Sequence, residues 1–220
     1  LSHVLEPYRR ELIDALRAGV QDDIARIVDV VRGGATFFVT PEGFYSTDGR
    51  MRPLKGIVEH VVPIASTWFA AIAFDPFRGR RLSMLYRVVQ PADPHDLATS
   101  LAAARPVTTS ALLAQWVLSI GLPFERSEAR DGVAQLRDGL PPGAFVDPEL
   151  LRDPKRCIDE ALAILASRRA LAFENGRYAR GEGRTDARFE GVEDVLAYQA
   201  AFAEETIDAL RALKERAAGI

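Results

Sequence analysis

Residues 35–56 read ATFFVTPEGFYSTDGRMRPLKG, and the first six of them decide the class of fold. Ala35–Thr40 is a run of β-branched and aromatic residues between Gly33-Gly34 and Pro41, the pattern of a buried central strand. Pro41 lacks an amide donor and Asp48-Gly49 marks a tight turn, so residues 41–56 are predicted to be a loop at the carboxyl end of that strand. Upstream, Leu12, Ile13, Leu16, Val20, Ile24, Ile27, Val28 and Val31 keep helical spacing until the double glycine stops them. Helix, glycines and strand make an αβ unit. In open α/β sheets, ligands gather outside the carboxyl ends of the strands.

Downstream, residues 56–66 predict a short helix, with Pro63 opposing its later turns. Trp68–Asp75 and Leu82–Val88 read as two strands joined by the basic loop Phe77-Arg78-Gly79-Arg80-Arg81. The composition changes at Gln90-Pro91. Helices are predicted at Ala111–Ile120, capped by Thr109 or Ser110, near Ser127–Leu136 and at about Pro154–Leu171. Asn175-Gly176 within Phe173–Arg180 is a strong hairpin signal, and three helices closed by a hairpin resemble a winged helix. From Val192 to Leu213, apolar residues line one face of a long helix, which is expected to dock on the chain's own core. The expected fold class is α/β, with an αβ layer over about 1–90, a mainly helical, winged-helix-like region over 91–190 and a C-terminal helix over 191–220.

Composition excludes several classes. The 220 residues are 48% hydrophobic and 27% charged with a formal net charge of −3, so neither disorder nor a general basic surface for nucleic acid is indicated. The one cysteine, Cys157, cannot form an internal disulfide. The longest nearly uncharged stretch, Val61–Phe74, is well short of the ~20 residues that a spanning helix needs, and no signal peptide is read. The expected setting is cytoplasmic, or peripheral at the inner face of a membrane. Trp68, Phe69 and the run Arg78–Arg81 are candidates for touching a bilayer, although they also read as sheet core and a solvated turn.

The ordered set Phe37-Phe38-Val39-Thr40-Pro41-Glu42-Gly43, Ser46, Asp48-Gly49 and Arg52-Pro53-Leu54-Lys55-Gly56 resembles the third conserved block of the glycerol-3-phosphate and lysophospholipid acyltransferase family. In that block an apolar strand runs into a Pro-Glu-Gly turn and a basic, glycine-containing loop. The resemblance implies transfer of a fatty acyl group from acyl-CoA or acyl carrier protein to glycerol 3-phosphate or a lysophospholipid, with no metal or redox cofactor. It makes Pro41, Glu42, Gly43, Ser46, Arg52, Lys55 and Gly56 the acceptor-binding residues. Their chemistry suits an anionic, hydroxyl-bearing substrate. Gly43 lets backbone amides approach an oxygen, Glu42 accepts a hydroxyl hydrogen bond or orients the loop, and Arg52 or Lys55 neutralises phosphate.

The chain departs from the family in two places. Phe44-Tyr45 stands where the family commonly has threonine and arginine, so one expected phosphate contact is missing or replaced. The strand around Phe69–Asp75, the best candidate for the fourth block, lacks that block's proline. Acyl transfer in the family also needs a histidine general base with an aspartate five residues later. Here the residues five beyond His3, His60 and His95 are Tyr8, Ala65 and Ser100, so no catalytic residue is assigned. With Leu1 rather than Met at the start, the expectation is that the pair lies upstream. Two other classes compete: a non-catalytic interaction or regulatory domain on the same scaffold, and a winged-helix nucleic-acid binder using the third helix with Arg177 and Arg180. The third helix mixes Lys155, Arg156, Arg168 and Arg169 with Asp153, Asp159 and Glu160, which argues against nucleic acid as a partner.

Overall fold

Tyr8–Arg32 forms helix α1 in the computed structural model, which describes residues 8–42, 46–79 and 82–219. Gly34, at φ 92, ends the helix in a Schellman motif: its N–H donates to the Val31 carbonyl at 2.9 Å and the Ala35 N–H to the Val30 carbonyl at 3.2 Å. Ala35–Thr40 then takes no part in a sheet, which corrects the strand expected there. Phe38 is 81% exposed and Phe37 36%. A strand apolar on both faces needs neighbours on its edges and layers on its faces, and residues 35–40 pair with none of the described strands. Helix α2 (Gly56–Val61) passes directly into a 3-10 turn at Val62–Ile64 that carries Pro63, as that proline's missing donor demands.

The chain divides into two compact units. The first comprises residues 1–44 and 53–67, the second residues 45–52 and 68–220. This division differs from the expected one near residue 90, because the ribbon of β1 (Phe69–Asp75) and β2 (Ser83–Val89) falls with the helices that follow. In the first unit α1 packs on α2 and the 3-10 turn, with Val31 and Val58 buried.

In the second unit β1 and β2 pair antiparallel from Phe69↔Val89 to Asp75↔Ser83. Phe69, Ala71 and Ala73 on one face of β1 are buried, while Ile72 and Phe74 on the other are exposed beside Tyr86 and Met84. Helices α3 (Leu97–Ala104), α4 (Thr109–Ile120), α5 (Arg126–Asp138), α6 (Pro148–Arg152) and α7 (Pro154–Ser167) follow, and β3 (Phe124–Glu125) separates α4 from α5. The hairpin β4 (Leu171–Glu174) and β5 (Arg177–Arg180) turns on Asn175 and Gly176, whose φ values of 51 and 81 are those of a type I′ turn. These strands form a three-stranded antiparallel sheet in the order β3-β5-β4.

Helix α4 is the centre of this unit. Leu112, Leu113 and Val117 are buried against Ile158, Leu162 and Leu165 of α7, with Phe124, Leu171 and Tyr178 of the small sheet in the same core. Its cap is Thr108, one residue earlier than expected, whose hydroxyl accepts from the Ala111 N–H. The long helix α8 (Val195–Ala217) packs on α3 and α4, burying Leu196, Ala203, Ile207 and Leu210, so the expected docking on the chain's own core holds. Arg216, near its end, pairs with Asp93 and Asp96 at the start of α3. Among the described residues no helix is long and apolar enough to cross a membrane.

Candidate functional site

Pro41, Glu42, Lys55 and Gly56 belong to the first unit, whereas Ser46 and Arg52 belong to the second. Gly43 lies outside the described residues. Pro41 and Lys55 are brought together: the Lys55 N–H donates to the Pro41 carbonyl at 2.7 Å. Lys55 has an extended backbone (φ −70, ψ 141) and precedes α2, so the loop ends where that helix begins. Glu42 is half-buried, and Arg52 and Lys55 are exposed.

The Asp48-Gly49 turn is tied at both levels. Locally, Asp48 accepts the Arg50 N–H at 3.0 Å, and that bond, with a further one from Ser46, holds its carboxyl below the usual carboxylate range. At longer range, Gly49 is buried at φ 83 against the Tyr198 carbonyl of α8, where an added Cβ would overlap that oxygen. Arg50 pairs with Glu204, and the Met51 N–H donates to Glu205 Oε2 at 2.7 Å. The loop's second half is thus held on the C-terminal helix, a contact that a local reading of Asp-Gly does not contain.

The connection between β1 and β2 forms a second polar centre. Phe77 is fully buried in the helical core, and the Arg78 side chain is only 7% exposed, which corrects the reading of this segment as a solvated basic turn. Arg78 donates to Glu149 at 2.7 Å, Glu160 at 3.2 Å, Thr109 Oγ1 at 3.3 Å and Asp147 at 3.4 Å. Asp75 is fully buried at the amino end of α4 and accepts the Thr109 N–H at 3.1 Å, the Ser110 N–H at 3.2 Å and the Ser110 hydroxyl. The Ser110 hydroxyl oxygen also accepts the Phe77 N–H at 2.8 Å. The signal for this centre was an acid ending an apolar strand, followed by Pro76 and by a phenylalanine between charged residues. Arg80 and Arg81 lie outside the described residues. Of the other suggested bilayer residues, Phe69 is buried, Arg78 is engaged by carboxylates and Trp68 is exposed.

Burial pushes the Asp75 carboxyl up to about 6, against the opposing pull of Ser110 and Arg78. The folded chain therefore binds a proton that the unfolded chain, titrating near 3.8, does not, and stability falls as pH rises through that window. From this group alone the protein is expected to be about 1 kcal/mol more stable near pH 5 than near pH 7. Asp75→Asn is expected to remove that increment. Denaturant midpoints of both proteins at the two pH values measure it, and an identical pH dependence would exclude Asp75 as its source.

Cys157 sits beside this centre on α7, and burial pushes its thiol up to about 11, which makes it a packing residue rather than a nucleophile. His60 and His95 are exposed, and His3 lies outside the described residues. Among the described residues no group of three or more His, Cys, Asp or Glu is placed to hold a metal ion. Comparison with protein-family models, curated proteins and solved structures finds no match to this chain.

Proposed function

We propose that this chain carries the acceptor-binding part of an O-acyltransferase, one that moves a fatty acyl group from acyl-CoA or acyl carrier protein to a hydroxyl of glycerol 3-phosphate or a lysophospholipid. The observation that carries the reading is the ordered block from Phe37 to Gly56. Glu42 would accept the acceptor's hydroxyl hydrogen or orient the loop, and Arg52 and Lys55 would offset its phosphate, each as a charge-assisted contact. Pro41, Gly43, Ser46 and Gly56 would complete the acceptor-binding set. The scaffold proposed with this reading is an acyltransferase-type αβ layer over residues 1–90, to which β1 and β2 would contribute an antiparallel pair. No general base is assigned to these residues, because none of the three histidines has an aspartate five positions on.

The arrangement α4-β3-α5-α6-α7-β4-β5, with sheet order β3-β5-β4, supports the winged-helix-like reading of the region 91–190. The charges of α7 favour a scaffolding role for it over nucleic-acid binding. Arg156 is engaged by Glu149, Asp153 and Glu160, and Asp159 is engaged by Arg130, so the helix offers no clean basic face.

Thiol release from acyl-CoA by the full-length gene product, with glycerol 3-phosphate or lysophosphatidate as acceptor, tests the proposal. Turnover is expected, and Glu42→Ala is expected to lower kcat/KM for the acceptor about tenfold or more. Unchanged turnover in that variant would remove Glu42 from acceptor binding, and no release with either acceptor would refute the reaction.

A further inference from the structure

Three consecutive residues of the loop 46–52 are anchored on α8: Gly49 against the Tyr198 carbonyl, Arg50 to Glu204 and Met51 to Glu205. Glu205 is the hub of this contact. One of its oxygens accepts the Met51 N–H at 2.7 Å and pairs with Arg105 Nη1 at 3.0 Å. Arg105 follows α3, is 7% exposed, and lies over the Phe202 ring with 4.7 Å to the centroid. The Met51 side chain packs with Ala102, Ala103, Ala209 and Leu210, so backbone and side chain are held at the same point. Arg52 is the next residue. Its backbone is limited from one side by the anchored Met51 amide and from the other by Pro53, which disfavours the helical region for the residue before it.

We propose that Glu205 is a positioning residue for Arg52, holding the loop on α8 so that the arginine's backbone is set before an anionic acceptor arrives. This rests on the acceptor-binding reading of Arg52. A pre-set loop spends less of the binding energy on ordering itself, so its release acts on acceptor affinity and leaves the chemical step alone.

Two variants of the full-length protein separate this role from a purely structural one. Glu205→Ala removes both contacts. Glu205→Gln keeps an oxygen for the Met51 N–H but loses the charge opposite Arg105. Tryptic cleavage after Arg50 reads loop release without reference to catalysis. It is expected to run about tenfold or more faster in Glu205→Ala and within about threefold of the parent in Glu205→Gln. In the thiol-release assay, KM for glycerol 3-phosphate is expected to rise about fivefold or more in Glu205→Ala with kcat within about twofold, and Glu205→Gln is expected to restore most of it. Gly49→Ala drives a methyl group into the Tyr198 carbonyl without touching Arg105, and is expected to give the same acceleration and the same KM rise if Glu205→Ala does not fold. Equal cleavage in parent and alanine variants overturns the anchoring. Faster cleavage at unchanged KM overturns the positioning role, as does a glutamine variant impaired as much as the alanine one. Absence of thiol release in the parent protein refutes acyl transfer and the positioning role built on it, while the cleavage rates still decide whether Glu205 holds the loop.

Discussion

Arg78→Ala is expected to lower the unfolding free energy of the second unit by about 3–5 kcal/mol, the usual cost of removing one member of a buried charge network. The arginine side chain is 7% exposed and stands among Asp147, Glu149 and Glu160, with fully buried Asp75 close by. Glu149 and Glu160 are exposed enough to turn to water, so the loss concentrates on Asp147, whose side chain is 9% exposed, and on Asp75. Asp147 loses its buried cation. Asp75, already raised by burial and now without the opposing pull of Arg78, is pushed further toward its protonated form, which costs free energy near pH 7. Urea unfolding followed by circular dichroism near pH 7 measures the effect. A loss under about 1 kcal/mol would mean that these carboxylates are effectively solvated. Adding Asp75→Asn to Arg78→Ala is expected to recover part of the loss, because one buried negative charge is then gone. A double-mutant cycle reads that coupling.

Gly132→Ala is expected to cost about 2 kcal/mol or more, although alanine is the better helix former by roughly 1 kcal/mol. Gly132 is buried on α5 beneath Trp116 of α4, and an added Cβ would overlap the indole, with Nε1 nearest. The ring has little room to withdraw. It is 7% exposed and meets Phe124 edge-on with ring centroids 4.9 Å apart. Overpacking therefore separates α4 from α5. The protein has two tryptophans, and Trp68 is 60% exposed, so a Trp68→Phe background isolates the signal of Trp116. The alanine variant is expected to combine a lower denaturant midpoint with a red shift of Trp116 emission. An unchanged spectrum at unchanged stability would mean that the two helices accommodate the methyl group.

Neither Arg78 nor Gly132 stands out on local grounds. Arg78 sits in a run that reads as a solvated basic turn, yet its partners lie 31 to 82 residues away in sequence. Gly132 sits inside a helical pattern that it weakens, and only the indole above it explains a glycine there. The candidate site divides in the same way. Pro-Glu-Gly, Asp-Gly and Lys-Gly could be recognised in order because they are adjacent, and the Asp48 turn closes through its neighbours Ser46 and Arg50. That Gly49, Arg50 and Met51 rest on α8 depends on residues about 150 positions away, with a separation of 154 for both Arg50–Glu204 and Met51–Glu205.

By itself, the sequence determined the elements whose cause lies within a few residues. Gly34 ends α1, Pro63 ends α2, Asn175-Gly176 turns the hairpin, and apolar spacing marks α4, α5, α7 and α8. Only tertiary structure decided the rest. Ala35–Thr40 has the composition of a strand, but a strand exists through the neighbours that take up its amides, and the described strands supply none. Phe77, Asp75 and Arg78 became core because α4, α6 and α7 close over them. The Asp48-Gly49 turn is legible as a tight turn, but Gly49 is buried because α8 returns across it. Local conformation follows from propensities of a few kT within a short segment, whereas pairing of distant charges and covering of apolar faces depend on which surfaces the folded chain brings together.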